Sequence, residues 1–450
     1  MAPPPQDYSL ASPPLTRAPL PLIRPEIATL AMQRFQCTGG ACPDTCCKDF
    51  GIVFDNKGMK RMLGATAKNA VDHEKVVRLV VFNLRSSDSD RAKVTLNEQG
   101  ACPLLEGSGQ CELHRKYGEA SLGTVCSVFP RTSLKIGDRL EVSGTLACPE
   151  LARLTLLSED GVEQGESPTV LLPRDYVGKA LPSADEDADP YRAHFEIVRA
   201  ALRELFGLRG FPLPSRLLFG AHLAAQVTDF FHAGTQAFHG KRRRFTRQRL
   251  LTELELGKDM ATLKQLHVDL GEFEGNHLAV LGTVATLLRQ RLRLAHPPRF
   301  ASAVAGLGDT EGMDDTRRFH RLVETNARLT ARLPGVMDRI LARYAQHYLL
   351  RIPYTDAPNL LHYLGRMALS LAAIKTLALA SPTVEGLLEE PGAPHDDAQA
   401  LGQLVVDRAQ IFTKTISHQA DFLAAFHHAF ESGNGTTFGR LALFARYLAL

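Results

Sequence analysis

The chain has 450 residues, 44% hydrophobic and 22% charged, a balance that supports a buried core and excludes wholesale disorder. Lys and Arg number 52 against 49 Asp and Glu, so the net charge of +3 gives no global argument for a nucleic-acid partner. No uninterrupted apolar run reaches about 18 residues, so no transmembrane helix and no membrane partner are expected.

Residues 1–25 contain eight prolines and read as an extended, disordered, polyproline-like leader. No basic start is followed by an apolar core, so a secretory signal is not expected, and a reducing, cytoplasmic setting is. Residues 26–155 hold all eight cysteines: Cys37, Cys42, Cys46, Cys47, Cys102, Cys111, Cys126 and Cys148. Their secondary structure is mixed. Lys93–Leu96 suits a short strand. Ser133–Ile136 and Arg139–Val142 flank Gly137-Asp138, the pattern of a β-hairpin. Cys111 to Tyr117 suits a short helix stopped by Gly118. Residues 156–190 turn acidic and polar, through Ser158-Glu159-Asp160-Gly161 and Asp185-Glu186-Asp187-Ala188-Asp189-Pro190, and read as a linker.

Residues 191–450 are helical in rhythm. Phe195, Ile197, Val198, Ala201, Leu202 and Leu205 recur at a 3.6-residue period, as do Leu404, Val405, Ile411, Phe412 and Ile416. Prolines at 212, 214, 297, 298, 334, 353 and 382 divide the segment into helices of ordinary length. The expected fold is mainly α: an irregular, cysteine-rich N-terminal domain with a small β-hairpin, packed on a larger α-helical domain.

The cysteines point to chemistry because of where they fall. Cys37-Thr-Gly-Gly-Ala-Cys42-Pro-Asp-Thr-Cys46-Cys47 brings four thiols into one loop, with little further loop-closure entropy needed to make them converge. Gly39 and Gly40 relax the backbone where it must bend. Thiolates are soft ligands that select zinc, copper(I) or iron–sulfur clusters. Adjacent Cα atoms lie about 3.8 Å apart and their side chains diverge, so Cys46 and Cys47 suit a larger cluster, or one cluster ligand plus one thiol with another task, better than one tetrahedral zinc. Cys42, Cys102 and Cys148 each precede proline, and a Cys-Pro step also closes the bacterial ferredoxin ligand run. A disulfide framework needs an oxidising compartment and is usual in small domains, which this chain is not. Buried free thiols are the other alternative. The common radical motif Cys-x3-Cys-x2-Cys is absent, since Cys42-x3-Cys46 is followed by Asp49 where a third cysteine is required.

Phe35-x-Cys37-x4-Cys42-x3-Cys46-Cys47-x2-Phe50-x-Ile52-x2-Asp55 resembles the opening signature of the flagellin lysine-N-methylase family. The resemblance continues through Cys102-Pro103-Leu104-Leu105, Gly109-x-Cys111-x-Leu113 and Tyr117-Gly118-Glu119. It runs on through Leu122-x3-Cys126-x2-Phe129-Pro130-Arg131 and Leu146-x-Cys148-Pro149-Glu150-x-Ala152-Arg153, about 120 residues in all. A weaker similarity extends from roughly Tyr344 to Phe430, including His418. The family commonly carries tryptophan where this chain has Phe50, and this chain has no tryptophan. The resemblance implies an S-adenosylmethionine-dependent protein lysine N-methyltransferase acting on flagellin, with a 4Fe-4S cluster on the eight cysteines and zinc as the alternative metal. It assigns no catalytic residue and no cofactor-binding residue. Tyr117, Asp55 and Glu119 lie in the matched segment and are candidates to receive the incoming amine. The rival function is a non-catalytic iron–sulfur or zinc protein whose helical domain binds a partner. An electron-transfer protein is a third reading.

Other features point less sharply. Lys241 to Arg249 carries six basic residues in nine, which suits a patch for an acidic partner or nucleic acid, or a solvated loop and helix start. His418, His427 and His428 lack the spacing of a zinc pair on one helix. No Gly-x-Gly-x-x-Gly follows a strand, no Gly-x-Ser-x-Gly elbow is present, and no phosphate-binding loop occurs, so nucleotide, hydrolase and NTPase motifs are missing.

Overall fold

The computed structural model describes residues 26–82, 91–167, 171–172, 176–181, 190–235, 237–238, 241–242, 246–294, 297–308, 315–416 and 436–450. The leader 1–25 and His418, His427 and His428 lie outside the described residues, as do parts of segment 156–190 and of the basic run.

Eight short strands build two sheets near the N-terminus: β1 (Ile27–Thr29), β2 (Val53–Phe54), β3 (Val80–Phe82), β4 (Ala92–Val94), β5 (Arg131–Ile136), β6 (Arg139–Gly144), β7 (Gln164–Glu166) and β8 (Lys179–Leu181). The five-stranded sheet has the order β7-β1-β6-β5-β8, and the three-stranded sheet has the order β2-β4-β3. β5 and β6 form the expected antiparallel hairpin, with Ile136 opposite Arg139 and Gly137 at φ +55 in the turn. β1 runs parallel to β6, and β8 runs parallel to β5. The segment 156–190, expected as a linker, supplies both outer strands of this sheet. Its polar composition is tolerated there because an edge strand buries only part of its surface. A two-residue ribbon, Ala237–Phe238 with Lys241–Arg242, lies within the helical segment.

The rest is helical, so the structure is mainly α with a small β part. Helix Leu360–Leu379 is buried on almost every face, as its apolar sequence requires. Around it pack Leu213–Thr235, Val336–Arg351, Pro394–Thr415 and Thr437–Ala449. No single helix among the described residues is long and apolar enough to cross a membrane. One large core runs through these helices and takes in Leu134, Ile136, Leu146, Ala152 and Leu156 from the sheet and from helix Pro149–Leu157. A second core gathers Ile52, Phe54, Met59, Met62, Leu104, Leu113 and Leu122, and a third gathers Met32, Val128, Val142 and Leu151.

Sheet and helices are joined by a buried ion pair. Glu141 on β6 accepts from Arg199 on helix Phe195–Phe206 at 2.8 and 2.9 Å, and from Arg139 at 2.7 Å. Burial opposes ionisation of Glu141, but the two guanidiniums outweigh it and hold the carboxyl below its ordinary range.

Candidate metal centre

Local chemistry places each thiol. Cys37 to Cys47 form a loop after the short helix Leu30–Gln33, with a single 3-10 turn at Gly39–Ala41. A Cβ on Gly40 would lie 2.3 Å from the carbonyl oxygen of Ser108, so glycine is what lets this loop press on the loop 106–111. Gly109, at φ +78, meets Gly40 from the other side. The chain then zips along 100–102: Cys102 N donates to the Cys47 carbonyl and Asp49 N to the Gly100 carbonyl, both at 2.8 Å. Cys111 and Cys148 sit at the N-caps of helices Glu112–Tyr117 and Pro149–Leu157. Gly118 stops the first of these helices, as expected from sequence. Cys126 lies on the short helix Thr124–Val128. The next aromatic, Phe129, meets Phe50 edge to face at 5.8 Å, which ties that helix to the segment after Cys47.

The two sequence clusters interleave in space. The thiols of Cys47, Cys126 and Cys37 act electrostatically on Cys46. Cys102 is coupled to Cys47 and Cys111, and Cys148 to Cys42 and Cys37. Thiols of the first sequence cluster therefore stand near thiols of the second. The hydrogen bond between Cys46 and Cys47 favours one thiolate on the pair: it holds Cys46 protonated and pulls Cys47 down, with Thr45 and Lys414 assisting. Burial pushes the Cys102 thiol up to about 12 and the Cys148 thiol up to about 11. None of the eight forms a disulfide.

A polar clamp fixes this loop to the helical body. Asp44, between Cys42 and Cys46, is contacted by Gln410 Nε2 at 2.8 Å, Arg299 Nη1 at 3.1 Å and Lys414 Nζ. Lys414 also donates to the Thr45 carbonyl at 3.1 Å, and Gln410 to the Ala147 carbonyl at 2.9 Å. Arg299 reaches Gln410 Oε1 at 3.0 Å and pairs with Asp407. Gln410 is 1% exposed and Lys414 7%. Sequence reasoning passed over this cluster. A signal was present: Lys414 stands amid Ile411, Phe412 and Ile416, where an amphipathic helix ordinarily carries apolar residues.

The residues named as amine receivers have other partners. Asp55 caps helix Asn56–Thr66 by accepting from Gly58 N at 2.7 Å, and it also holds Thr124. The Tyr117 hydroxyl donates to Asp72 at 2.6 Å within a cluster that includes Lys116 and Glu112. Glu119 acts electrostatically on the half-buried Arg131.

The donors fit a soft metal in kind, because the neighbourhood is built of thiols. They are not closed around a point: among the described residues no three His, Cys, Asp or Glu side chains converge so as to hold a metal ion.

No family model matches the chain, and no solved structure matches it. Curated relatives do. The flagellar biosynthetic protein FliU of Salmonella muenchen is 30% identical over 133 residues, which cover 29% of this chain and 77% of that protein. A lysine-N-methylase of Salmonella typhimurium is 30% identical over 138 residues, 30% of this chain and 33% of its own length. A lysine-N-methylase of Salmonella choleraesuis is 29% identical over 135 residues, 29% of this chain and 32% of its own length. The chain thus spans about a third of the length of the two lysine-N-methylases it matches.

Proposed function

We propose a function that starts from kinship: the chain belongs to the family of the flagellar biosynthetic protein FliU. The activity proposed is protein lysine N-methylation, with S-adenosylmethionine as methyl donor and flagellin as substrate. Similarity to two lysine-N-methylases supports the reaction class. The nearness of thiols from both sequence clusters supports the cofactor part of the reading.

The transfer has simple requirements. A lysine ammonium titrates near about 10.4, so it must lose its proton to a base or to water before it can react. The freed nitrogen lone pair attacks the methyl carbon as the carbon–sulfur bond breaks, leaving S-adenosylhomocysteine and a methylated amine. Alignment of nitrogen, carbon and sulfur supplies much of the rate in reactions of this kind. Asp55 and Tyr117 already serve a helix cap and a buried carboxylate, so the base is not assigned to them.

The 4Fe-4S cluster is proposed to draw its ligands from Cys37, Cys42, Cys46, Cys47, Cys102, Cys111, Cys126 and Cys148. Held by three of these thiols, such a cluster would leave one iron open to the amino and carboxylate groups of S-adenosylmethionine; held by four, it would serve as a staple for the folded lobe. The clamp of Asp44, Gln410 and Lys414 fixes the loop that carries Cys42, Cys46 and Cys47.

The test uses oxygen-protected full chain. Iron and sulfide bound in equal amounts, saturable S-adenosylmethionine uptake by calorimetry, and a methyl mass increment on flagellin lysines support the proposal. Iron-loaded protein that takes up no S-adenosylmethionine refutes the methylation reading and favours a non-catalytic metalloprotein.

A further inference from the structure

The helical body holds a cleft of about 380 Å³, within the range of roughly 300–1,000 Å³ usual for small-molecule sites. Its walls are mainly apolar, Leu329, Leu333, Leu341, Leu401 and Leu448 among them, and Thr330 lies exposed at its rim. The cleft is remote from the thiols. Leu401 and Lys414 lie on one helix, 13 residues apart, about 20 Å along its axis.

Two opposite charges line this cleft from different helices. Lys375, on Leu360–Leu379, is 6% exposed, and its ammonium makes one hydrogen bond among the described residues, to the Leu448 carbonyl at 2.8 Å. An ammonium has three donors, so two remain uncommitted. Asp338, on Val336–Arg351, accepts from Leu213 N through Oδ1 at 2.9 Å. The two side chains attract one another across the cleft, yet no ion pair joins them among the described residues.

A buried ammonium held by one neutral carbonyl is costly, and an apolar side chain of like volume is generally the more stable choice there. Leu371, Ile374, Leu377 and Ala378 beside it are buried and apolar, so packing does not explain Lys375. The ligand that resolves the arrangement must satisfy both charges at once. A lone anion is repelled by Asp338, a lone cation by Lys375, and a neutral hydrocarbon leaves both unpaired. We propose that this cleft binds a small α-amino acid with a flexible apolar side chain, its carboxylate on Lys375, its ammonium on Asp338 and its side chain among the leucines. The assignment goes beyond the methylation reading and does not depend on it.

Calorimetry on the full chain with L-norleucine, hexanoate and n-hexylamine tests this. L-norleucine should bind saturably, and the two ligands lacking one charge should bind at least about tenfold more weakly. Lys375→Met and Asp338→Asn should each weaken L-norleucine about tenfold or more, with folding checked by thermal melting. Thr330→Trp places bulk at the exposed rim. It should weaken binding while leaving the melt unchanged, and it keeps the test decisive where a buried variant fails to fold. The proposal is overturned by absence of saturable heat up to about 10 mM L-norleucine. It is equally overturned if hexanoate or n-hexylamine binds as tightly, or if the folded variants bind as the parent does.

Discussion

The thiol-bearing lobe and the helical body are held together in different ways. The body shares one continuous core, into which helix Leu360–Leu379 sinks almost whole. The lobe lends Leu134, Ile136, Ala152 and Leu156 to that core and gathers its other buried apolar residues into two smaller ones, with Cys47, Cys102 and Cys111 at one and Cys148 at the other. Backbone conformation differs as well. Eight described residues have positive φ, and six of them, Gly39, Asp49, Gly100, Gly109, Gly118 and Gly137, lie in the lobe. The lobe is shaped by tight loops and polar ties, and the body by apolar area. Local opening free energies should therefore be lower in the lobe.

The largest effect is expected where the two regions meet. Glu141→Gln leaves the Arg199 guanidinium buried and unpaired, and should cost about 3–5 kcal/mol in urea unfolding. A much smaller loss means that sheet and body do not unfold as one unit.

A pH experiment probes the body alone. Burial lowers the Lys375 ammonium from 10.5 to about 8, with Asp338 opposing. Between those values the unfolded chain binds more protons than the folded one, so stability rises with pH. Below about 8 the full penalty is present. Relative to Lys375→Met, the parent should gain about 3 kcal/mol from pH 8 to 10.5, read as the difference of their denaturation free energies.

Breaking the clamp probes the lobe. Lys414→Met or Asp44→Asn leaves a polar partner unsatisfied and should cost about 1–3 kcal/mol. The loss should show as faster alkylation of Cys42 and Cys47, with the midpoint of the main unfolding transition little changed. An equal shift of both would mean that the lobe has no separate opening. Smallest is the helix cap: Asp55→Ala should cost about 1 kcal/mol by thermal melting.

The same contrast decides what could be read from sequence. Helices such as Phe195–Phe206 and Pro394–Thr415 followed from periodicity, because burial on one face imposes it. The hairpin at Gly137-Asp138 and the stop at Gly118 followed from turn chemistry. The outer strands β7 and β8 did not, since short edge strands in polar segments carry no alternation. The cysteines stood out in the sequence, but how they group depends on pairings such as residues 47–49 with 100–102, which no local pattern specifies. Asp44 was hidden for the same reason, its partners lying on helices far along the chain.

That distance has a consequence for biosynthesis. Asp44 and Lys414 are separated by 370 positions. A ribosome making this chain exposes the four N-terminal thiols long before it supplies the helix that anchors their loop. Domains generally begin to fold during synthesis, N-terminal parts first, but this contact must wait for nearly the whole polypeptide. The nascent cysteines thus spend most of translation without their anchor, and truncated products never acquire it.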